Sequence, residues 1–309
     1  MRIAHISDLH ICAKNKRTNI RNTKYILNYI INNNFDHVVV TGDVSDNAHS
    51  RDFEILRNLF DKAGLLDNDK LTMIIGNHDI FGGVQKPEDI FTFPKKCMQT
   101  NYKKMVDDFY TYFIEAFWKT YHPVENEVFP FVKDLGRVIL IGLNSVDHYS
   151  KIKNPFASNG RISKKQYEGL EKIFAMEEYK NKIRIVCIHH HFYKEPLCNS
   201  NPNLSLLERI EKQTMKLRGK KRLLNMFAEN DVKLVLHGHL HETCEYDKKN
   251  IRFLNAGATI NNSIPNLLKI IEIDISEIQT AFTIRELNYS ALRLVKETEF
   301  TEAIKSIAI

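Results

Sequence analysis

Five apolar, β-branched runs in this chain each end in a short polar loop built from Asp, His, Asn and Gly. Ile3 to Ile6 leads into Asp8-Leu9-His10, and Val38-Val39-Val40 leads into Gly42-Asp43-Val44-Ser45-Asp46. Leu71 to Ile75 delivers Gly76-Asn77-His78-Asp79. Ile183 to Ile188 ends at His189-His190-His191, and Val232 to Leu236 runs out toward Gly238-His239-Leu240-His241. Runs of this kind suit central strands buried on both faces. Between the first three lie segments of helical spacing: Ile20, Tyr25, Ile26, Tyr29 and Ile30, then Phe53, Leu56, Leu59 and Phe60. That rhythm predicts parallel strands joined by right-handed crossovers. Ligands in such sheets gather beyond the carboxyl ends of the strands, so the polar loops are expected to meet there.

From Ile80 to Val132 the rhythm breaks. Residues 81–131 hold thirteen of the chain's aromatic side chains, including its only Trp, Trp118. Tyr102, Met105, Val106, Phe109, Phe113, Ala116, Phe117 and Tyr121 share one helical face. The expectation is an aromatic-rich helical insertion at about 80–132, either a helix packed on the sheet or a cap whose rings select the substrate. Strand character resumes at Val138 to Asn144. Ser163 is placed to cap a following helix, with Gln166 at capping-box spacing. Leu223 to Ala228 is helical, and Leu267 to Ile275 and Ala281 to Leu287 read as antiparallel closing strands. One domain over residues 1–290 and a helical tail over 291–309 are expected.

The formal charge of +6 is concentrated. Arg209 to Arg222 carries seven Lys or Arg against the single Glu211, so the rest of the chain nearly balances. A general nucleic-acid surface is therefore not implied, and the basic segment is more simply a solvated helix face. The five cysteines (Cys12, Cys97, Cys187, Cys198, Cys244) are scattered, with no CxxC pair. That excludes a disulfide framework and a thiolate zinc site from the expectations. No apolar run approaches the roughly 20 residues that span a bilayer. The first residues enter a strand directly, without a secretory-signal pattern, so a cytoplasmic location is expected.

Oxygen and imidazole donors without thiolate favour Mn, Fe, Zn or similar divalent ions. Two dications about 3.5–4 Å apart repel and need a shared carboxylate between them. A water bridging such a pair loses its proton near neutral pH and becomes a nucleophile, while both metals draw charge from phosphoryl oxygens.

The set Asp8-x-His10, Gly42-Asp43-x-x-Asp46, Gly76-Asn77-His78-Asp79, His189-His190 and Gly238-His239-x-His241 resembles the calcineurin-like metallophosphoesterase family. The resemblance implies an α/β fold, a four-layer α/β/β/α sandwich, and a dinuclear metal site. By the same resemblance, Asp8, His10 and His241 would hold one metal and Asn77, His190 and His239 the other, with Asp43 between them. His78 would contact the phosphoryl group and protonate the leaving oxygen, oriented by Asp79. In the triplet the family's usual pattern selects His190, which leaves His189 or His191 for an adjacent or substrate-facing position. Asp46 fits a hydrogen-bonding partner better than a ligand, and His237 a structural role.

Val39 to Asp46 and Asn159-Gly160-Arg161-Ile162 further resemble the class III cyclic-nucleotide phosphodiesterases. Where that group continues with prolines after its double His, this chain has His191-Phe192-Tyr193. The resulting expectation is hydrolysis of a small phosphodiester. A nuclease similar to the DNA-repair phosphoesterases is an alternative, resting on the Arg209–Arg222 segment. A non-catalytic metal-binding scaffold is a second, although it would predict missing ligands and none is missing.

Overall fold

Each apolar run forms a strand, and the amphipathic segments between them form helices. The first half runs β1 (Arg2–Ile6), α1 (Arg17–Asn32), β2 (His37–Thr41), α2 (Ser50–Lys62), β3 (Leu71–Ile74), the single turn α3 (Asn77–Ile80), α4 (Asp89–Gln99) and α5 (Tyr102–Tyr112). Next come β4 (Phe131–Asp134), β5 (Val138–Gly142), β6 (Gly160–Arg161), α6 (Lys164–Ala175), β7 (Ile183–Cys187), β8 (Leu217–Arg218), α7 (Lys220–Glu229) and β9 (Val232–His237). The chain closes with β10 (Cys244–Lys248), β11 (Ile251–Asn255), β12 (Ile260–Asn261), β13 (Leu267–Leu268), β14 (Ile271–Ile275) and β15 (Phe282–Glu286). The computed structural model describes residues 1–84, 88–193, 215–261, 267–276 and 282–286. The expected tail at 291–309, Arg209 to Thr214 of the basic segment, Cys198, Ala281 and Leu287 lie outside the described residues.

Strands β1, β2 and β3 pair in parallel, and the closing strands extend that sheet antiparallel in the order β15-β14-β1-β2-β3. The second sheet, β10-β11-β9-β7-β5-β4, is parallel at its centre and antiparallel at both edges. Side-chain alternation divides two cores. Along β5, Val138 and Leu140 join the cluster shared with the first sheet, whereas Ile139 and Ile141 join the one under α6 and α7. Helices α1 and α2 cover the first sheet through Ile26, Leu27, Phe53 and Phe60. The result is the four-layer α/β/β/α sandwich. Full burial of each such Leu or Ile contributes roughly 2 kcal/mol. No helix among the described residues is long and apolar enough to cross a membrane.

Three local expectations change. The aromatic helix does not run on to Tyr121: α5 stops at Tyr112, and Ile114–Phe117 tightens into a 3₁₀ turn. The tightening buries Phe113, Ala116 and Phe117 together, and Arg57 of α2 fixes the junction through Tyr112 O (2.7 Å) and the Glu115 carboxylate. Ser163 does cap α6 by accepting from Gln166 N, but Gln166 does not bond back to it. Its amide instead pairs with Asn144 N and O at 2.9 and 2.7 Å, tying α6 to the exit of β5. The β10–β11 hairpin was not foreseen, because its turn residues Lys249 and Asn250 adopt positive φ (51° and 61°) without a glycine to mark it.

Lys133 of β4 is fully buried. Its ammonium donates to Asn68 O and Ala116 O at 2.8 Å and also to Leu71 O, joining the insertion to the start of β3. Lys133→Met would leave these carbonyls unpaired, with an expected loss of about 3 kcal/mol. A lowered urea midpoint would report it; an unchanged midpoint would show that the carbonyls find other donors.

Candidate metal centre

The side-chain parity of β7 decides which histidine of the triplet faces the other sheet. Ile183, Ile185 and Cys187 point into the core shared with the first sheet, while Val186 and Ile188 point under α6 and α7. Continuing the alternation turns His189 inward and His190 outward. His189 Nε2 lies 3.2 Å from Asp43 Oδ2, 3.2 Å from Asn77 Oδ1 and 3.1 Å from His239 Nδ1. His190 instead faces Ser145 Oγ (2.8 Å) and the Ser158 carbonyl (3.2 Å), and Gly160 packs against its ring. The geometry thus corrects the expectation that the middle histidine joins the cluster. His191 is buried, its Nδ1 accepts from Tyr193 N, and its ring stacks beside His239.

A second group forms from Asp8, His10 and His241. His10 Nε2 and His241 Nε2 approach to 3.3 Å, and Asp8 Oδ1 stands 3.9 and 3.7 Å from them. Asp8 also reaches the first group, since its Oδ2 accepts from His239 N at 3.1 Å. Asn19 of α1 holds this loop by donating to Leu9 O and His10 O at 3.0 Å each. All five strand ends therefore contribute to one region.

The electrostatics of both groups call for positive charge. His189 Nδ1 sits 2.7 Å from Thr41 O and donates there, while Nε2 faces the acceptors Asp43 Oδ2 and Asn77 Oδ1. Burial opposes charge on His189, but Asp43 and Asp8 outweigh it and push its pKa up to about 9. Around His10, burial is likewise outweighed by Asp46, Asp43 and Asp8, and its pKa is raised. Burial also acts to raise the Asp43 carboxyl, yet His189 and His78 hold it well below the usual range. His239, where burial dominates, is pulled well below its ordinary value and stays neutral, as ligation requires. Asp8 Oδ1 and His239 Nε2 are buried without a hydrogen-bond partner. Metal bonds of about 2.1 Å set neighbouring ligand atoms about 3.0–3.4 Å apart, for octahedral and tetrahedral shells respectively. The separations of 3.1–3.3 Å found here match that spacing. The donor set fits divalent ions.

His78 borders both groups. Its backbone N–H donates to Asp43 Oδ1 at 2.8 Å, and its Nδ1 lies 3.2 Å from Asp46 O. Nε2 has no hydrogen-bond partner among the described residues, and the side chain is 21% exposed, so it can meet a ligand. Asp79 does not touch the ring, contrary to the expected pairing. It is wholly buried and accepts from Ser45 N (2.8 Å) and Gly76 N (2.9 Å), bracing two loops against each other. Asp46 steadies the ring instead, with Oδ1 3.4 Å from His10 Nδ1 and 3.8 Å from His78 Nδ1, and Oδ2 2.8 Å from Lys16 Nζ. Lys16 had no sequence signal. His237 is structural as expected: its Nε2 meets the Tyr246 hydroxyl at 3.0 Å.

A sequence model of the calcineurin-like phosphoesterase family matches residues 1–243. The chain belongs to this family. No curated protein sequence matches the chain. Among solved structures, it is similar to a dimetal phosphatase from Danio rerio, with a TM-score of 0.58 and 11% identity over 94% of this chain and 99% of that one. It is also similar to the purple acid phosphatase PPD1 from yellow lupin (Lupinus luteus) seeds. There the TM-score is 0.55 and identity 13%, over 94% of this chain and 52% of that one. At such identities these two support the shared fold.

The phosphoesterase loops owe their aim to unusual backbone. Asp8, His10, Asp43 and His239 all adopt positive φ, at 54°, 45°, 51° and 71°. Such conformations cost on the order of 1 kcal/mol each for side-chain-bearing residues and cluster at functional sites. Glycines make the close approaches possible. A Cβ on Gly76 would collide with the backbone N and carboxylate of Asp43, and one on Gly238 with Ser7 Oγ and Asp8 Oδ2. Gly76→Ala is therefore expected to displace Asp43, lowering the thermal midpoint by several degrees and the bound metal per chain. Calorimetry with elemental analysis checks this; full metal content at an unchanged midpoint would refute it.

Proposed function

We propose that this phosphoesterase hydrolyses small phosphodiesters with two divalent ions (Mn, Fe, Zn or similar). Asp8, His10 and His241 would hold one ion and Asn77, His189 and His239 the other, with Asp43 shared. Bound there, the ions would polarise phosphoryl oxygens and activate water. The observation that carries the reading is the convergence of both ligand groups on the partly exposed imidazole of His78.

The chain's own residues then divide the work. As an imidazolium, His78 would donate Nδ1–H to Asp46 O and give its Nε2 proton to the departing oxygen, ending as the neutral Nδ1–H tautomer. An alcohol leaves a diester as a poor leaving group, so this proton matters most there. Asp79 and Gly76 hold the His78 turn against Asp43. Ser145 and Ser158 hold the His190 ring against that of His239, 4.3 Å between centroids, where it would back up the ligand.

The nuclease alternative finds little support in the described part of the basic segment. Arg222 lies over the Tyr167 ring at 4.1 Å, Lys220 donates to Tyr193 O at 2.5 Å, and Arg218 donates to Lys153 O. These cations serve the fold.

His189→Ala is expected to lose about one of two metal equivalents, whereas His190→Ala keeps both. Metal analysis of dialysed protein decides, and the reverse pattern would restore the middle histidine as ligand. The function itself is tested by a Mn-loaded screen of bis-p-nitrophenyl phosphate, cyclic AMP, p-nitrophenyl phosphate and single-stranded DNA. Turnover of the small diesters is expected to dominate; activity confined to the monoester or to DNA would sink the proposal. His78→Ala should retain metal while kcat on cyclic AMP falls by about 10²–10⁴-fold, and by less with the better p-nitrophenolate leaving group. Equal losses on both substrates would remove the acid role.

A further inference from the structure

Helix α4, which follows the His78 turn in the chain, carries three different faces. Phe93 and Cys97 are buried in the core, and Phe91 and Met98 are exposed. Thr92, Lys95, Lys96 and Gln99 recur at i, i+3, i+4 and i+7, which places them on one stripe. With Thr100 they line an open groove of 510 Å³ that contains no carboxylate.

One of its lining residues, Lys96, reaches back toward the loop after Asp46. Lys96 Nζ lies 3.5 Å from Asn47 O, the residue after Asp46, and it packs against Gly82. Gly82 has φ +70°, and a Cβ there would stand 2.5 Å from Lys96 Nζ, so only glycine lets the ammonium come this close. The next residue, Gly83, lies against His78 Cε1 in the same way. The nearby Asp46 does not neutralise Lys96, because its Oδ2 is held by Lys16 at 2.8 Å. Neither Lys95 nor Lys96 forms an ion pair with a carboxylate among the described residues. The lysines of α5 differ: Lys103 and Lys104 are paired with Asp107 and Asp108 at 3.0 and 2.5 Å. Two neighbouring ammonium groups with no carboxylate ion pair among the described residues, although Asp46 and Asp89 lie within electrostatic reach of Lys96, suit an additional anionic oxygen cluster.

We propose that the α4 groove is a subsite for a second phosphate of the substrate, on the His78 side of the scissile diester, with Lys95 and Lys96 as its cations. The proposal rests on the phosphodiesterase reading and gives preference, among small diesters, to those with another phosphate beyond the cleaved linkage. The exposed positions of both lysines make substitutions there compatible with folding.

Thymidylyl-thymidine with and without a 5′-phosphate provides the test, since the two share one scissile linkage and differ by one distal phosphate. With the full chain loaded with Mn, kcat/KM is expected to favour the 5′-phosphorylated form by about tenfold, through KM. In the Lys95→Ala/Lys96→Ala double variant that ratio should fall toward one, and Lys95→Arg/Lys96→Arg should keep it. A wild-type ratio near one, or a ratio that survives the double alanine change, overturns the subsite. If neither dinucleotide is cleaved, bis-p-nitrophenyl phosphate run alongside shows whether the phosphodiesterase reading itself has failed, and binding decides the subsite separately. Fluorescence anisotropy of the two dinucleotides, each labelled at its 3′ end, would then show tighter binding of the phosphorylated form that the double alanine change abolishes. Equal binding of the two would overturn the proposal.

Discussion

Two carboxylates, Asp8 and Asp43, are buried almost completely at the point where the strands end, and their compensation organises everything around them. A buried carboxylate needs hydrogen bonds or positive charge close by. Backbone N–H groups meet part of that need, from His78 to Asp43 and from His239 to Asp8. Imidazoles meet another part, which is why the pKa values of His10 and His189 are raised despite burial. The rest is positive charge that the side chains alone do not supply, and Asp8 Oδ1 marks it most directly. The glycines, the left-handed turns and the bracing Asp79 follow from bringing these groups so near one another.

Much of this was legible in the sequence. The apolar runs became β1, β2, β3, β5, β7 and β9, and the polar loops after five of them do meet. A run apolar on both faces, however, carries no parity. In Ile183 to Ile188 only Arg184 marks which parity points outward, a weak sign that the choice of His190 by resemblance passed over. Alternation counted from the two cores resolves it at once. Asp79 was misread for a related reason: adjacency to His78 in the chain is not contact, and one helical turn sends the two side chains to different neighbours. The contact from Lys16 to Asp46 joins the start of α1 to the end of β2, a pairing without local signature.

Much of the aromatic insertion packs on the sheet, the first of the two alternatives expected for it. Phe109, Phe113 and Phe117 pack with Phe53 and Phe131, so this portion thickens the core. Tyr102 turns another way, its ring against His148 at 4.1 Å and its hydroxyl on Val146 O at 2.7 Å, and so supports the loop behind His190. Helix α4 buries only Phe93 and Cys97 and leaves Phe91 and Met98 exposed.

The pairing of β7 with β9 slips by one residue near Arg184 and Ile185, where Arg184 faces Val232 but Ile185 faces Leu234. That bulge moves Leu234 to the inner face and resets the phase of everything after it in β9. Register errors of one residue are thus a real hazard at this seam. A run of three identical histidines is a form of insurance against them. If β7 slid so that His190 took the place of His189, an imidazole would still arrive opposite Asp43, whereas a slip the other way would bring Ile188. Redundancy in the triplet would let the seam drift in that first direction during divergence without emptying the position, whereas the lone His10 and the lone Asn77 have no such latitude.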